Sequence, residues 1–350
     1  MTLSPGSRRS WALRSEITID LGALRRNVRR LITALEGAEL WAVVKADGYG
    51  HGALDVARAA LAEGAGALCV ATVAEATALR ASFSESRILV LGPTSEAESR
   101  SACASRLELI ASAPPYPEGM PLHLKVDSGM GRYGGSLPAE LPENAVGLMS
   151  HLATADSDPA FADRQLERFR AVAAVHPRLQ AHIANSAAAL RLPSARFHAA
   201  RCGIALYGLS PFGTDPADDS LEPVLSWRSE LAQVKLLQPG ASTGYSRRFV
   251  ARDPTWIGLV PVGYGDGFRR DLTGTEVLVE GERRRVVGTV SMDSLAVELG
   301  RELPAGTPVT LIGDGLLAEE HARVAGTITY ELVCGVNTSA ERARRIVRDG

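Results

Sequence analysis

Aromatic residues make up only 5% of the chain, and there are four cysteines in 350 residues. Those cysteines (Cys69, Cys103, Cys202, Cys334) stand far apart with no CxxC pair, which argues against a zinc cluster or a dense disulfide framework and fits a reducing compartment. No stretch approaches the roughly 18 apolar residues of a membrane span. The N-terminal MTLSPGSRRSWALR has arginines but lacks the apolar core of a signal peptide. The chain also lacks a surplus of either charge: the formal net charge is -2 with 22% charged residues, not the basic face that would bind nucleic acid or an anionic membrane. The expectation is a cytoplasmic protein acting on a small molecule, with no metal, nucleic-acid or membrane partner.

What is present is enough apolar material, 45% of the chain, to fill a sizeable core, in a length that fits two domains. Short apolar runs alternate with helical patterns: ELWAVVKA, then ALDVARAALAEG, then ALCVAT, then VAEATALRAS. The alternation continues through RILVLG, LELIAS, PLHLKVD, NAVGLMSHLA, LQAHIAN and RCGIALYG, about eight strand candidates by residue 208. An open doubly wound sheet would read alike locally. However, Lys45, Arg132, His151, Asn185 and Arg201 each fall at or just past the end of a different strand candidate, and a (β/α)8 TIM barrel brings such ends to one face. The stretch GLSPFGTDPADDS reads as a linker, and from residue 224 the segments become short, β-rich and turn-punctuated. EVLVEGERRRVV reads as a hairpin turned at Glu280-Gly281, and AEEHARVAG as a helix. The expected architecture is α/β: a barrel over 1–223, then a mostly β domain over 224–350.

WAVVKADGYGHG (41–52) places Lys45 at the end of an apolar strand before a glycine-rich turn holding Tyr49. Partial desolvation there would favour a neutral, nucleophilic amine suited to an aldehyde cofactor. Alone, such a lysine reads also as a strand-end residue reaching solvent. The segments HLKVDSGMGRYG (123–134), SHLATAD (150–156), HIANSAA (182–188) and RCGIALYG (201–208) follow in order at barrel-like intervals.

With these motifs the sequence resembles the alanine racemase family of fold type III pyridoxal phosphate enzymes, from about ITIDLGALRRNVRRL (17–31) to about YELVCGVN (330–337). The resemblance implies interconversion of L- and D-alanine with pyridoxal 5′-phosphate, supplying D-alanine for peptidoglycan. Lys45 matches the Schiff-base lysine and base on one face of the substrate. Tyr49, Asn185, Ser186, Gly203 and Ile204 match the phosphate contacts, where a hydroxyl and backbone N–H groups suit a dianion. Arg201 matches the arginine facing the pyridine nitrogen, with His182 as its partner. Tyr245, in STGYS, matches the base on the opposite face, linked in the family to the residues matching His151 and Arg201.

In the family that tyrosine enters from the other subunit, which implies a homodimer with shared active sites. Tyr264, Met292 and Asp293 match partner-supplied entrance and carboxylate-binding residues. Arg132 matches the contact to the cofactor's phenolic oxygen and the substrate carboxylate. Lys125 matches a position that is carbamylated in some relatives, and a plain salt-bridge lysine is the alternative.

The chain departs from the family pattern in TSAERARR, where Thr338 replaces a tyrosine, and at Ser291, which replaces a cysteine. A related decarboxylase carries a cysteine where Tyr245 stands. A serine or broad-specificity racemase shares the catalytic pair, and a non-catalytic cofactor carrier on the same barrel lacks the β domain.

Overall fold

A computed structural model describes residues 14–349, which fall into two units, one of Leu21–Val224 and one of the segment up to Asp20 with Leu225–Asp349. In the first unit eight parallel strands close on themselves: β2 (Glu39–Val43), β3 (Ala67–Val70), β4 (Ile88–Val90), β5 (Glu108–Ala111), β6 (Leu122–Lys125), β7 (Ala145–Met149), β8 (Gln180–His182) and β9 (Ala199–Cys202). Seven fall within the runs read from the sequence; the eighth, RCGIALYG, overlaps its strand only at Arg201 and Cys202, and Ile204–Tyr207 forms a 3-10 turn instead. The ring closes where Trp41 lies opposite Arg201 on β9. Four of the eight, β3, β4, β6 and β9, are buried along their whole length, as strands covered on both faces must be.

The helices between them carry local instructions. Thr72 and Glu75 form a capping box at the start of Val73–Arg80, as Ser95 and Glu98 do at Glu96–Ala104. Asp158 caps Pro159–Val175, with proline at its first turn. The stretch read as a linker is anchored at and beside its ends, while 213–215, 217–218 and 220 are exposed. The side chain of buried Asn27 bonds Leu206 O at 3.1 Å and both backbone groups of Glu222 at 2.8 Å, and Asp219 accepts two bonds from Arg191.

The second unit is a nine-stranded sheet, with a small two-stranded sheet beside it. Its members are β1 (Glu16–Asp20), β10 (Leu225–Glu230), β11 (Gln233–Leu237), β12 (Ser242–Thr243), β13 (Phe249–Val250), β14 (Thr255–Val260), β15 (Glu276–Val279), β16 (Glu282–Val287), β17 (Leu295–Leu299), β18 (Pro308–Ile312) and β19 (Arg344–Arg348). The large sheet runs β11-β14-β17-β16-β15-β18-β10-β1-β19, and β12 pairs with β13. Leu237, Ala251, Ile257, Val287 and Ala296 form a buried apolar cluster in it.

The hairpin β15–β16 turns on Glu280 and Gly281, both at positive φ (52° and 82°), the primed turn that matches strand twist. AEEHARVA forms the helix Ala318–Ala325, and a second helix, Thr329–Cys334, follows it. The N-terminal boundary differs from the sequence reading. Residues 16–20 pair antiparallel with β10 and parallel with β19, so this strand belongs to the β unit and the barrel begins at Leu21. Among the described residues no helix is long and apolar enough to cross a membrane.

Candidate functional site

β2 ends at Val43, and the chain then leaves the barrel by an unusual turn. Ala46, Asp47, Gly48, Tyr49 and Gly50 are all left-handed, with φ of 51°, 51°, 62°, 54° and 79°. Each non-glycine residue in this region costs roughly 1–2 kcal/mol, so the surroundings must dictate the shape. They do so through main-chain bonds from Gly48 N to Val44 O (2.9 Å) and Gly50 N to Ala46 O (3.0 Å), and through Asp47 Oδ1, which accepts from Ala53 N at 2.8 Å. Glu75 clamps the turn from outside, one oxygen taking Ala46 N at 2.7 Å and the other taking Ala71 N at 2.7 Å. Lys45, half-buried, sits at the mouth of this strained segment.

Tyr49 is buried against Tyr207, ring centroids 4.9 Å apart. Across from it, Ser186 Oγ accepts from Gly203 N (3.0 Å) and Ala205 N (3.3 Å). Gly203 has a steric reason to lack a side chain, since a Cβ there would collide with the Tyr49 hydroxyl. Asn185 caps the short helix that Ser186 begins, through Ala188 N. Tyr49, Asn185, Ser186, Gly203 and Ile204 thus follow three neighbouring strands, β2, β8 and β9.

Arg201, on β9, is buried, and both its terminal nitrogens are engaged. Nη1 donates to His182 Nδ1 (2.5 Å) and His182 O (3.0 Å), and Nη2 donates to Ser150 O (2.7 Å) and His151 Nδ1 (3.3 Å). Burial lowers its pKa to about 10, still well above neutrality. Burial, then the Arg201, Arg132 and Lys125 charges, hold His151 down to about 3. A neutral His151 that accepts at Nδ1 carries its proton on Nε2, leaving that N–H as a donor. Lys125, at the end of β6, is 5% exposed, and burial with Arg132 and Arg201 nearby lowers its amine to about 8. Arg132 lies on the exposed loop that follows β6.

In the β unit, Tyr245 stands at the tip of the β12–β13 hairpin and is 69% exposed. The tip is set by Gly244 (φ 77°), where a Cβ would lie 2.9 Å from Thr289 N. A pocket of about 470 Å³ is lined by Gly244, Tyr245 and Ser291 to Ser294, which includes Met292 and Asp293. Tyr264 joins this group through main-chain bonds, its N to Ser291 O (3.0 Å) and Gly265 N to Met292 O (2.9 Å). Ser291 makes its contacts there through the backbone.

Asp293 accepts from Arg342 at 2.7 Å, and Arg14 donates to its carbonyl at 2.7 Å. Buried Asp266 sits behind, 3.2 Å from Arg14 and 3.5 Å from Arg342. The sequence reading missed Arg14, Asp266 and Arg342. Arg342 lies in the divergent TSAERARR segment, and Asn337 just before it is tied to the Tyr264 turn, its N donating to Asp266 O at 3.0 Å. Thr338 is half-buried, and nothing in the structure explains why threonine stands there. Among the described residues no cluster of three or more His, Cys, Asp or Glu is arranged to hold a metal.

The profile of the alanine racemase N-terminal domain matches residues 19–211, and that of the C-terminal domain matches 224–345. An alanine racemase of Lactiplantibacillus plantarum is 38% identical over 96% of this chain and 98% of its own. Alanine racemase 1 of Bacillus subtilis is 37% identical over 98% and 94%. Among solved structures, the alanine racemase of D-cycloserine-producing Streptomyces lavendulae superposes with a TM-score of 0.90 at 34% identity, covering 97% of this chain and 98% of that one. The Bacillus anthracis alanine racemase with bound L-Ala-P gives 0.87 at 33% identity, covering 97% and 96%.

Proposed function

The chain belongs to the alanine racemase family, and from that premise we propose that it interconverts L- and D-alanine by a two-base, pyridoxal 5′-phosphate-dependent reaction in a homodimer, supplying D-alanine for peptidoglycan. The observation that carries this reading is the convergence, at the ends of the neighbouring barrel strands β8, β9 and β2, of Lys45, the buried Arg201 and the Tyr49–Ser186–Gly203 group. That donor set fits the cofactor: a lysine for its aldehyde, a hydroxyl and main-chain amides around a glycine that tolerates no Cβ for its phosphate, and an arginine for its ring nitrogen. When bound, the cofactor supplies the electron withdrawal that makes the alanine Cα–H acidic.

The chain's own groups do the rest. Lys45 would hold the cofactor and exchange the Cα proton on one face. Tyr245 of a second copy would exchange it on the other, one group taking a proton while the other delivers one. Arg201 keeps its protons, so it would hold the ring nitrogen by a hydrogen bond without protonating it. That would limit charge delocalisation and favour return of the proton to Cα over transamination. The His151 Nε2–H would be a donor for the developing phenolate of the second copy's Tyr245.

Tyr49, Asn185, Ser186, Gly203 and Ile204 would bind the phosphate, and Arg132 the alanine carboxylate, a bidentate task suited to a guanidinium. A carbamate on Lys125 would hold Arg132. Tyr264, Met292 and Asp293 of the second copy would line the entrance, and the exposure of Tyr245 and Met292 on one pocket, with exposed Tyr264 bonded to its wall, supports an interface there. The test is circular dichroism of the cofactor-loaded protein with each alanine enantiomer and, separately, each serine enantiomer. Decay of both alanine signals to zero is expected. A stable alanine signal would end the proposal, and faster decay with serine would reassign the substrate.

A further inference from the structure

Arg201 is one end of a file of polar side chains that crosses the barrel interior, each from a barrel strand or the residue before it. His182 Nε2 faces His123 Nδ1 at 2.9 Å, and His123 Nε2 faces Glu108 Oε2 at 2.9 Å. Glu108 in turn accepts from Arg87 twice, Nε to Oε1 at 2.8 Å and Nη2 to Oε2 at 3.1 Å. Both imidazoles are 0% exposed, and the Trp41 ring packs against them at 4.6 and 5.7 Å between centroids. At the far end Arg87 also donates to Gln180 at 2.9 Å, next to a cavity of about 590 Å³ lined in part by Glu39, Trp41 and Gln180. The barrel makes room for the file at Gly147 on β7, where a Cβ would overlap the His123 ring, 2.6 Å from its Cγ.

The two ends dictate the proton on every atom between them. Arginine can only donate, and an ionised carboxylate can only accept. Glu108 therefore takes the Nε2–H of His123, which leaves His123 Nδ1 as acceptor for the Nε2–H of His182, which leaves His182 Nδ1 as acceptor for Arg201. A proton on His123 Nδ1 would reverse the middle bond, move the His182 proton to Nδ1 and set it against the Arg201 N–H. The main-chain carbonyls that Arg201 also uses cannot change character, whereas His182 Nδ1 can.

We propose that Glu108 is a positioning residue for the reaction: acting through His123 and His182, it fixes the acceptor that orients the Arg201 guanidinium. This rests on the role given to Arg201 above.

The test uses the cofactor-loaded enzyme labelled with 15N-histidine, in which ring nitrogens with and without a proton resonate far apart, assigned with His123→Asn and His182→Asn. Both buried imidazoles are expected in the Nε2–H form. A Nδ1–H or doubly protonated ring at either position overturns the proposal without any variant having to fold. Glu108→Leu is expected to lose the fixed form, shift the visible band of the bound cofactor and lower kcat about 10- to 100-fold, the range seen for outer partners at other sites, with KM for alanine little changed. Glu108→Gln, whose amide oxygen still accepts from His123, is expected to recover most of kcat. A folded Leu variant with the wild-type band and kcat overturns the proposal. An inactive wild type with both rings in the Nε2–H form tells against the racemase reading alone, and an active one with another form tells against this inference alone.

Discussion

Lys125 is a buried amine among cations, and that placement has a chemical consequence. With its pKa lowered to about 8 by burial, then by Arg132 and Arg201, a sizeable share is neutral near physiological pH, and only the neutral amine adds carbon dioxide. The carbamate would place a negative charge where Arg132, Arg201 and Lys45 all act on the site. Enzyme equilibrated with 13C-bicarbonate is expected to show a carbamate resonance that grows as pH rises toward 8 and above, and to lose activity when bicarbonate is stripped. No such resonance would leave Lys125 an ordinary lysine. For Glu108 the sign is opposite. Its hydrogen bonds to His123 and Arg87 outweigh burial, and its pKa falls to about 2 from the ordinary 4.5. Its contribution, on the order of 3 kcal/mol from the size of that shift, is therefore fully present above pH 4.5 and lost as pH falls toward 2. The wild type's stability margin over Glu108→Gln in urea melts is expected to shrink across that window. Of the two proposed bases, Lys45→Ala is expected to abolish the borohydride-fixable cofactor. Tyr245→Phe is expected to slow proton removal from one enantiomer more than the other, seen as unequal deuterium wash-in.

The turn after β2 makes a prediction at the level of the element. Glu75 joins it to the end of β3 through Ala46 N and Ala71 N, and its second oxygen also takes Thr72 N at 3.1 Å. Glu75→Ala removes these acceptors together and is expected to cost about 1–3 kcal/mol, with faster amide exchange over residues 46–53. Unchanged exchange would mean the left-handed run holds itself. Gly48, Gly50 and Asp47 announce a turn, since they tolerate positive φ, but Ala46 and Tyr49 do not, and the hold of Glu75 from the helix Val73–Arg80 leaves no local sign. The barrel strands were legible because each is a short, mainly apolar run set between helical patterns. The placement of Lys45, Arg132, His151 and Asn185 beyond strand ends, and of Arg201 near the end of β9, was legible for the same reason. Of the interior file only the His182–Arg201 link was legible, since nothing local in LELIAS or LHLK shows that Glu108 and His123 meet. The Arg14–Asp266–Arg342–Asp293 group was not legible at all, since it joins residues up to 328 positions apart that share no local pattern.

At the scale of the molecule, the proposed pairing of Lys45 with Tyr245 of another copy predicts complementation. Inactive Lys45→Ala and Tyr245→Phe chains, co-expressed, are expected to regain part of the activity, with the recovered fraction tracking the mixed dimers isolated by differential tagging. Strict inactivity of the mixed dimers would place both bases in one chain. The β unit carries one more consequence. Because β1 and β10 are antiparallel neighbours, with Ile19 opposite Leu225, the polypeptide leaves the sheet and returns to it at adjacent points. The barrel is thus an insert at a hairpin tip, and a few residues linking Asp20 to Leu225 would turn those strands into an ordinary hairpin. A gene shortened in that way should encode a self-contained sheet, offering a route to crystallise or label the tyrosine-bearing half in isolation.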